Sequence, residues 1–127
     1  MSNIPSDLKY TKSHEWVRVS GETATIGITD HAQHELTDIV FVELPEAGRR
    51  VKSGEACAVV ESVKTASDIY APVSGDVLEM NKSVVDEPAL ANTDPYGKGW
   101  FVKIKLANPD ELTALLSPDQ YKAQLGG

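Results

Sequence analysis

The feature that most limits how this chain can fold is the shortness of its apolar runs. Trp16-Val17-Arg18-Val19, Ala24-Thr25-Ile26-Gly27-Ile28, Ile39 to Leu44, Ala58-Val59-Val60, Ile69-Tyr70-Ala71, Val73 to Met80 and Trp100 to Leu106 stand between turn-forming or polar stretches. Runs this short, rich in β-branched and aromatic residues, suit strands and are too brief for buried helices. Ser20-Gly21-Glu22 predicts a hairpin turn between the first two, and Pro45 ends the third. After Phe101 the last run alternates apolar and polar residues, as in a sheet with one wet face. The expected class is mainly β, and no run approaches the ~20 apolar residues of a membrane span.

Helix signals are confined to two places. Thr29 is placed to cap a short helix through Asp30 to Leu36. Near the C-terminus, Asn108-Pro109-Asp110-Glu111 offers a cap, a proline at the first helical position and early acids. Leu112, Leu115 and Leu116 then predict a buried stripe at helical spacing. Ser117-Pro118-Asp119-Gln120 repeats the start signal, with Tyr121 and Leu125 four apart. A C-terminal segment of two short helices over about 108–125 is expected, packed on a sheet edge. The 127 residues suit one domain, 1–127.

Charge narrows the function classes. The formal net charge of -7 argues against nucleic acid, where Lys and Arg must displace counterions from phosphate. The single cysteine, Cys57, excludes an internal disulfide and lies in an apolar run, where a thiol packs as a small hydrophobe. The first residues, Met1 to Asp7, have neither an apolar signal core nor an Arg-rich presequence, so the cytoplasm is the expected compartment. Gly97 and Gly99 beside Lys98 lack phosphate-loop spacing, and no Ser/His/Asp set or nucleophile elbow is recognisable. Asp30, His31, His34 and Glu35 cluster without a distinctive ligand motif, so no metal is expected.

One segment stands apart. Val51-Lys52-Ser53-Gly54-Glu55 and Val73-Ser74-Gly75-Asp76 share a valine and a Ser-Gly-acid turn. Between these half-motifs an apolar strand enters, a polar stretch bears Lys64, and a second strand leaves. A lysine at such a tip stands clear of the body, where an enzyme can reach its amine. By spacing alone, an ordinary solvated lysine is the simpler alternative.

The residues themselves resemble a known pattern. Glu61-Ser62-Val63-Lys64, Ser67-Asp68 and Ala71-Pro72-Val73-Ser74-Gly75 are similar to the lipoyl-attachment segment of glycine cleavage system H proteins. Ser13-His14-Glu15-Trp16, Gly27 to Gln33, Val40 to Pro45, Pro95-Tyr96 and Gly99-Trp100 also resemble that family, over about Leu8 to Tyr121. The resemblance implies a flattened β-barrel or sandwich of the lipoyl-domain (barrel-sandwich hybrid) type with peripheral helices. It implies covalent lipoate on Lys64, on a hairpin spanning about 58–75. Glu61, three residues before the lysine, and Gly75, eleven after it, take the offsets that help lipoylating enzymes recognise the hairpin.

The same resemblance implies a carrier and not an enzyme. Its expected partners are a pyridoxal-phosphate glycine decarboxylase, a tetrahydrofolate-dependent aminomethyltransferase and a flavin dihydrolipoyl dehydrogenase using NAD, together with the lipoylating enzymes. The aminomethyl group of glycine would pass from the first to the second, and the third would reoxidise the dithiol. Ser13, Glu15 and Asp68 match positions of a cleft that shelters the loaded arm, where a carboxylate suits a methylammonium head. Some members of the family it resembles have a histidine near the cleft mouth. Here the chain reads Gln33-His34-Glu35-Leu36, a placement open to a one-position shift of about 100° on a helix, so the carry-over to His34 stays open.

Rival readings differ at the lysine. Biotin domains usually flank it with methionines and acyl-carrying lipoyl domains commonly use Asp-Lys-Ala, whereas this chain has Val63-Lys64-Thr65. A lipoyl donor that relays cofactor to other proteins is an alternative compatible with the same residues. A non-lipoylated interaction module would not need the set Glu61, Lys64 and Gly75.

Overall fold

The computed structural model describes residues 4–125; Met1 to Asn3 of the amino-terminal reading and the last two residues of the 1–127 domain lie outside them. In chain order the strands are β1 (Lys9–Tyr10), β2 (Glu15–Ser20), β3 (Thr23–Ile28), β4 (Ile39–Glu43), β5 (Arg50–Val51), β6 (Ala56–Ser62), β7 (Ala66–Tyr70), β8 (Gly75–Met80) and β9 (Val102–Leu106). They form a six-stranded sheet in the order β1-β2-β3-β9-β8-β5 and a three-stranded sheet in the order β4-β6-β7. Every named pair is antiparallel. Among the described residues no ladder joins the sheets, so the expected sandwich forms and stays open instead of closing as a barrel.

Burial explains the two layers. Val17, Ile26 and Ile104 of the larger sheet and Val42, Val60 and Ile69 of the smaller belong to one aliphatic core. The alternation read after Phe101 puts Val102 and Ile104 on the inward side of β9. The β2–β3 turn is the predicted hairpin: Ser20 faces Thr23, and Gly21 takes the left-handed φ of 61° that a two-residue turn demands. The half-motifs around the lysine segment meet in space. Val51 pairs with Gly75, Arg50 with Asp76, and the Ser53 N–H donates to Ser74 Oγ at 2.9 Å.

A second core lies at one end. Leu8, Tyr10, Trp16 and Tyr121 are buried together, and the rings of Tyr10 and Tyr121 stack with centroids 4.7 Å apart. It ties the segments at the two ends of the described chain to β2.

The helices follow their signals in part. α1 (Asp30–Leu36) starts on Thr29, whose hydroxyl accepts from the Ala32 N–H. α4 (Pro118–Gln124) carries a complete capping box between Ser117 and Gln120. The first expected C-terminal helix is corrected: Pro109–Ala114 is a 3-10 turn with no buried residue. Leu115 is extended (φ -79°, ψ 157°), and Leu116 exchanges backbone hydrogen bonds with Tyr10, so the leucine stripe does not form. Ser117 precedes a proline and must be extended too, which leaves one short turn between the two start signals. α2 (Lys82–Asp86) and α3 (Leu90–Thr93) had no forecast. They follow Asn81, whose amide nitrogen donates to the Lys98 and Trp100 carbonyls at 2.7 Å each while its oxygen caps α2.

Candidate functional site: a lysine tip and a buried carboxylate joined by one strand

Strands β6 and β7 pair from Ala56 opposite Tyr70 to Glu61 opposite Ala66, leaving Val63 and Lys64 at the tip. The turn is closed by its own polar atoms. The Ser62 N–H donates to the Thr65 carbonyl at 2.8 Å, and Ser62 Oγ accepts from the Lys64 and Thr65 N–H groups at 3.1 and 3.2 Å. The Val63 N–H donates to the Asp38 carbonyl at 3.0 Å, anchoring the tip to the link between α1 and β4. With these donors satisfied, the exposed side chains of Val63, Lys64 and Thr65 project from a defined backbone.

Lys64 reaches across to α1. Its Nζ donates to the Glu35 carbonyl at 3.1 Å, in the last turn of the helix, where unpaired carbonyls carry partial negative charge. Among the described residues no carboxylate lies within ion-pair distance of the amine. An exposed bond to one carbonyl contributes about 1 kcal/mol at most, so the amine leaves this contact easily.

The three-stranded sheet places the other predicted residues by its register. Phe41, Glu61 and Ala66 form one cross-strand row, and Glu43, Val59 and Asp68 the next. Glu61 and Asp68 are exposed on the outer face with the lysine at its end. Gly75 is elsewhere: it opens β8, beyond the far end of β7, and pairs with Leu106 in the larger sheet. A Cβ there would lie 1.8 Å from the Lys105 carbonyl oxygen, so packing alone demands glycine.

At that far end lies a cleft of about 310 Å³, lined by Ser13, Glu15, Tyr70, Ala71, Glu111 and Leu115 among others. Glu15, 1% exposed, is the buried acid of β2. Its Oε1 accepts from the hydroxyls of Thr11 and of Ser13, the latter at 2.6 Å. Its Oε2 accepts from the Tyr70 N–H of β7 at 3.3 Å. Burial pushes the Glu15 carboxyl above its ordinary range, while the Ser13, Thr11 and Tyr70 donors pull it back. The result is a desolvated acid in a cleft whose second oxygen has only one long bond.

The neighbouring residue turns the other way. His14 has φ 72°, and its Nδ1 pairs with the Tyr121 hydroxyl at 2.8 Å, which also meets Thr29 Oγ1 at 2.7 Å. The His14 and His31 rings lie 4.7 Å apart. Burial and His31 push the His14 pKa down, with Glu35 opposing.

Ser13 and Glu15 are therefore together, and Asp68 sits one strand repeat before the Tyr70 that holds Glu15. His34 is exposed on α1 and makes none of these contacts; His14, between Ser13 and Glu15 in the chain, packs on His31 instead. Thr11, Tyr70 and Glu111 had no forecast. Alternation along Thr11, Ser13 and Glu15 could have found the first. Glu111, whose two oxygens accept from the N–H and hydroxyl of Ser74 at 2.7 and 2.8 Å, had only the cap pattern near it. Cys57 is buried with its pKa pushed up to about 11, an inert thiol. Among the described residues no three metal-ligating side chains converge, and no helix is long and apolar enough to cross a membrane.

Known proteins share this arrangement along nearly the whole chain. The family model described as glycine cleavage H-protein matches residues 8–126. A glycine cleavage system H protein of Ralstonia nicotianae is 61% identical over 127 residues, covering 99% of each chain. That of Methylacidiphilum infernorum is 55% identical over 123 residues, covering 97% of this chain and 96% of its own. The crystal structure of a glycine cleavage system H protein from Mycobacterium marinum superposes with a TM-score of 0.89 at 41% identity, covering 98% of this chain and all of that one. A match of this length and depth, in sequence and in fold, assigns the chain to the glycine cleavage H-protein family.

Proposed function

We propose that the chain is the lipoyl-bearing carrier of the glycine cleavage system, with lipoate joined to Lys64 as an amide. The observation that carries this reading is the tip itself: an exposed lysine on a hydrogen-bonded turn, its amine donating to a surface carbonyl. That environment fits an attached arm, since the amine can be acylated and the turn keeps its hydrogen bonds. When bound, lipoate supplies a dithiolane that takes up the aminomethyl group of glycine with reduction of its disulfide, chemistry no side chain here can perform.

The chain's own residues then do three things. Ser62 and the Asp38 carbonyl fix where the arm begins, which raises its effective concentration at a docked partner. Strand β7 sets a track: at about 3.3 Å per residue, Asp68 lies roughly 13 Å and Tyr70 roughly 20 Å along the chain from Lys64. Asp68 offers a surface carboxylate on the way, and Glu15, steered by Ser13 and Thr11, offers a desolvated one at the end. A cationic amine entering the cleft would favour ionised Glu15 and gain a charge-assisted hydrogen bond while water is kept away. Glu61 is assigned to recognition by lipoylating enzymes. For Gly75 the same role is proposed alongside its packing requirement.

The partners proposed are the glycine decarboxylase, the aminomethyltransferase and the dihydrolipoyl dehydrogenase named above, in that order, in the cytoplasm, where a lone unpaired cysteine is at home. The chain itself is proposed to catalyse none of the steps. The test is glycine-dependent loading: lipoylated protein incubated with the matching decarboxylase and ¹⁴C-glycine labelled at the methylene carbon should acquire label. Labelling should be lost in Lys64→Arg. Lipoylated protein that stays unlabelled would contradict the glycine-cleavage assignment.

A further inference from the structure

The outer face beside the lysine is apolar where a free surface should not be. Val40, Phe41 and Val63 are 56%, 45% and 68% exposed. The cause is local: the ladder between β4 and β6 slips between Ile39 and Phe41. A bulge inserts an extra residue, so Val40 and Phe41 both point outward while Ile39 and Val42 stay buried. Strict alternation would have hidden one of them. Phe41 stands opposite Glu61, and the Val63 N–H bond to Asp38 holds the tip against the start of β4. The apolar side chains are thus gathered at the end of the sheet that bears Lys64.

The strands that carry them are poor in positive charge. No Lys or Arg occurs between Arg18 and Arg49, and only Lys64 between Lys52 and Lys82. Glu35, Asp38, Glu43, Glu61 and Asp68 are exposed around the patch. Lys64 is therefore the one Lys or Arg in these two stretches; Arg49 lines a surface pocket with Glu43, at the end of β4 away from the lysine.

We infer that Val40, Phe41 and Val63 form the docking surface for the enzyme that acylates Lys64. The inference rests on the carrier reading and adds a partner surface to it. Its basis is adjacency: an active site that admits Nζ must cover Val63, the preceding residue, and the bulge sets Val40 and Phe41 beside it. The matching partner surface is an apolar rim around a lysine channel, bordered by basic groups that meet the acids. From the ammonium form of Lys64, the transfer forms the Nζ–acyl bond, breaks the acyl–phosphate bond of adenylated lipoate, and releases AMP as its dianion and two protons. It also removes the Lys64 charge, so substrate and product share the apolar patch and differ in charge.

The test measures transfer to the full chain by a lipoate ligase with free lipoate and ATP, followed by intact mass, for wild type, Phe41→Ser, Val63→Ser and the double variant. The double variant should lose at least tenfold in kcat/KM, mainly through KM, and each single variant severalfold. Acetylation of Lys64 by a small activated ester should be unchanged, and Leu78→Ser, an exposed apolar residue of the other sheet, should be lipoylated as wild type. A correctly folded double variant, checked by thermal melting, that is lipoylated at the wild-type rate overturns the inference. So does sedimentation showing a dimer lost in these variants with lipoylation unaffected, which would make a second copy the occupant. Failure of the wild type to be lipoylated overturns the carrier reading and not the surface alone.

Discussion

The two ends of strand β7 are built on opposite principles. At the Ala66 end the chain turns through Val63 and Lys64 with exposed side chains, and backbone bonds together with the Ser62 hydroxyl hold the main chain. At the Tyr70 end, the N–H of that residue reaches a buried glutamate held by Thr11 and Ser13 and walled by Glu111 and Leu115. One end is rigid in its main chain and free in its side chains; the other fixes its side chains through contacts distant in sequence. A carrier needs both, since an arm must be reachable at its root and sheltered at its head.

If that contrast is right, substitutions near the far end should be costly and those at the tip cheap. The largest effect is expected for Gly75→Ala, whose Cβ would collide with the Lys105 carbonyl. It should cost about 3 kcal/mol or more, or abolish folding, in urea unfolding. Next, Tyr121→Phe leaves the stack on Tyr10 and removes the hydroxyl shared by His14 and Thr29, a loss of about 1–2 kcal/mol in the same assay.

Glu15→Gln separates stability from function. The folded-state pKa of Glu15 is raised, so its favourable contribution is present below the ordinary carboxylate range and lost as pH rises through the folded value. At neutral pH the ionised form is a cost, and Glu15→Gln should melt at or a few degrees above wild type. The loaded amine, if Glu15 holds it, should be lost faster. A variant that melts well below wild type would show that the clamp serves folding first.

His14 gives the opposite slope. Its folded pKa is lowered, so its contribution is present above about pH 6.5, the ordinary histidine value, and lost as pH falls below it. His31, Glu35 and Tyr121 face this ring; burial and His31 lower its pKa, and Glu35 opposes them. Melting between pH 7.5 and 5 should fall less steeply in His14→Asn, since asparagine tolerates the positive φ. The smallest effect belongs to the tip, where Lys64→Ala should change stability by less than about 0.5 kcal/mol. A larger loss there would break the comparison, because the bond to Glu35 would then be structural.

What could be read in advance divides along the same line. The β2–β3 hairpin, the Thr29 cap, the Ser117 capping box and the strand–lysine–strand unit are local patterns, each carried by neighbours in sequence. The cleft is not: Glu15 meets Tyr70 across 55 residues, and His14 meets Tyr121 across 107. Ser13, Glu15 and Asp68 were named through family resemblance, and nothing in their own spacing shows that the start of β2 meets the end of β7. The 3-10 turn at Pro109–Ala114 shows why cap signals mislead: Leu116 was needed to bridge Tyr10, and the stripe was given up. The bulge at Val40 was hidden for a related reason, since a run of β-branched residues reads the same whether one of them is inserted or not.

The measurement that bears most directly on the carrier reading is an intact-mass spectrum of the protein purified from its native host, beside Lys64→Arg made in the same host. The reading expects one lipoyl adduct on the wild type, mapped by peptide analysis to Lys64, and none on the variant. An unmodified native protein, or an adduct that survives in Lys64→Arg, would contradict it.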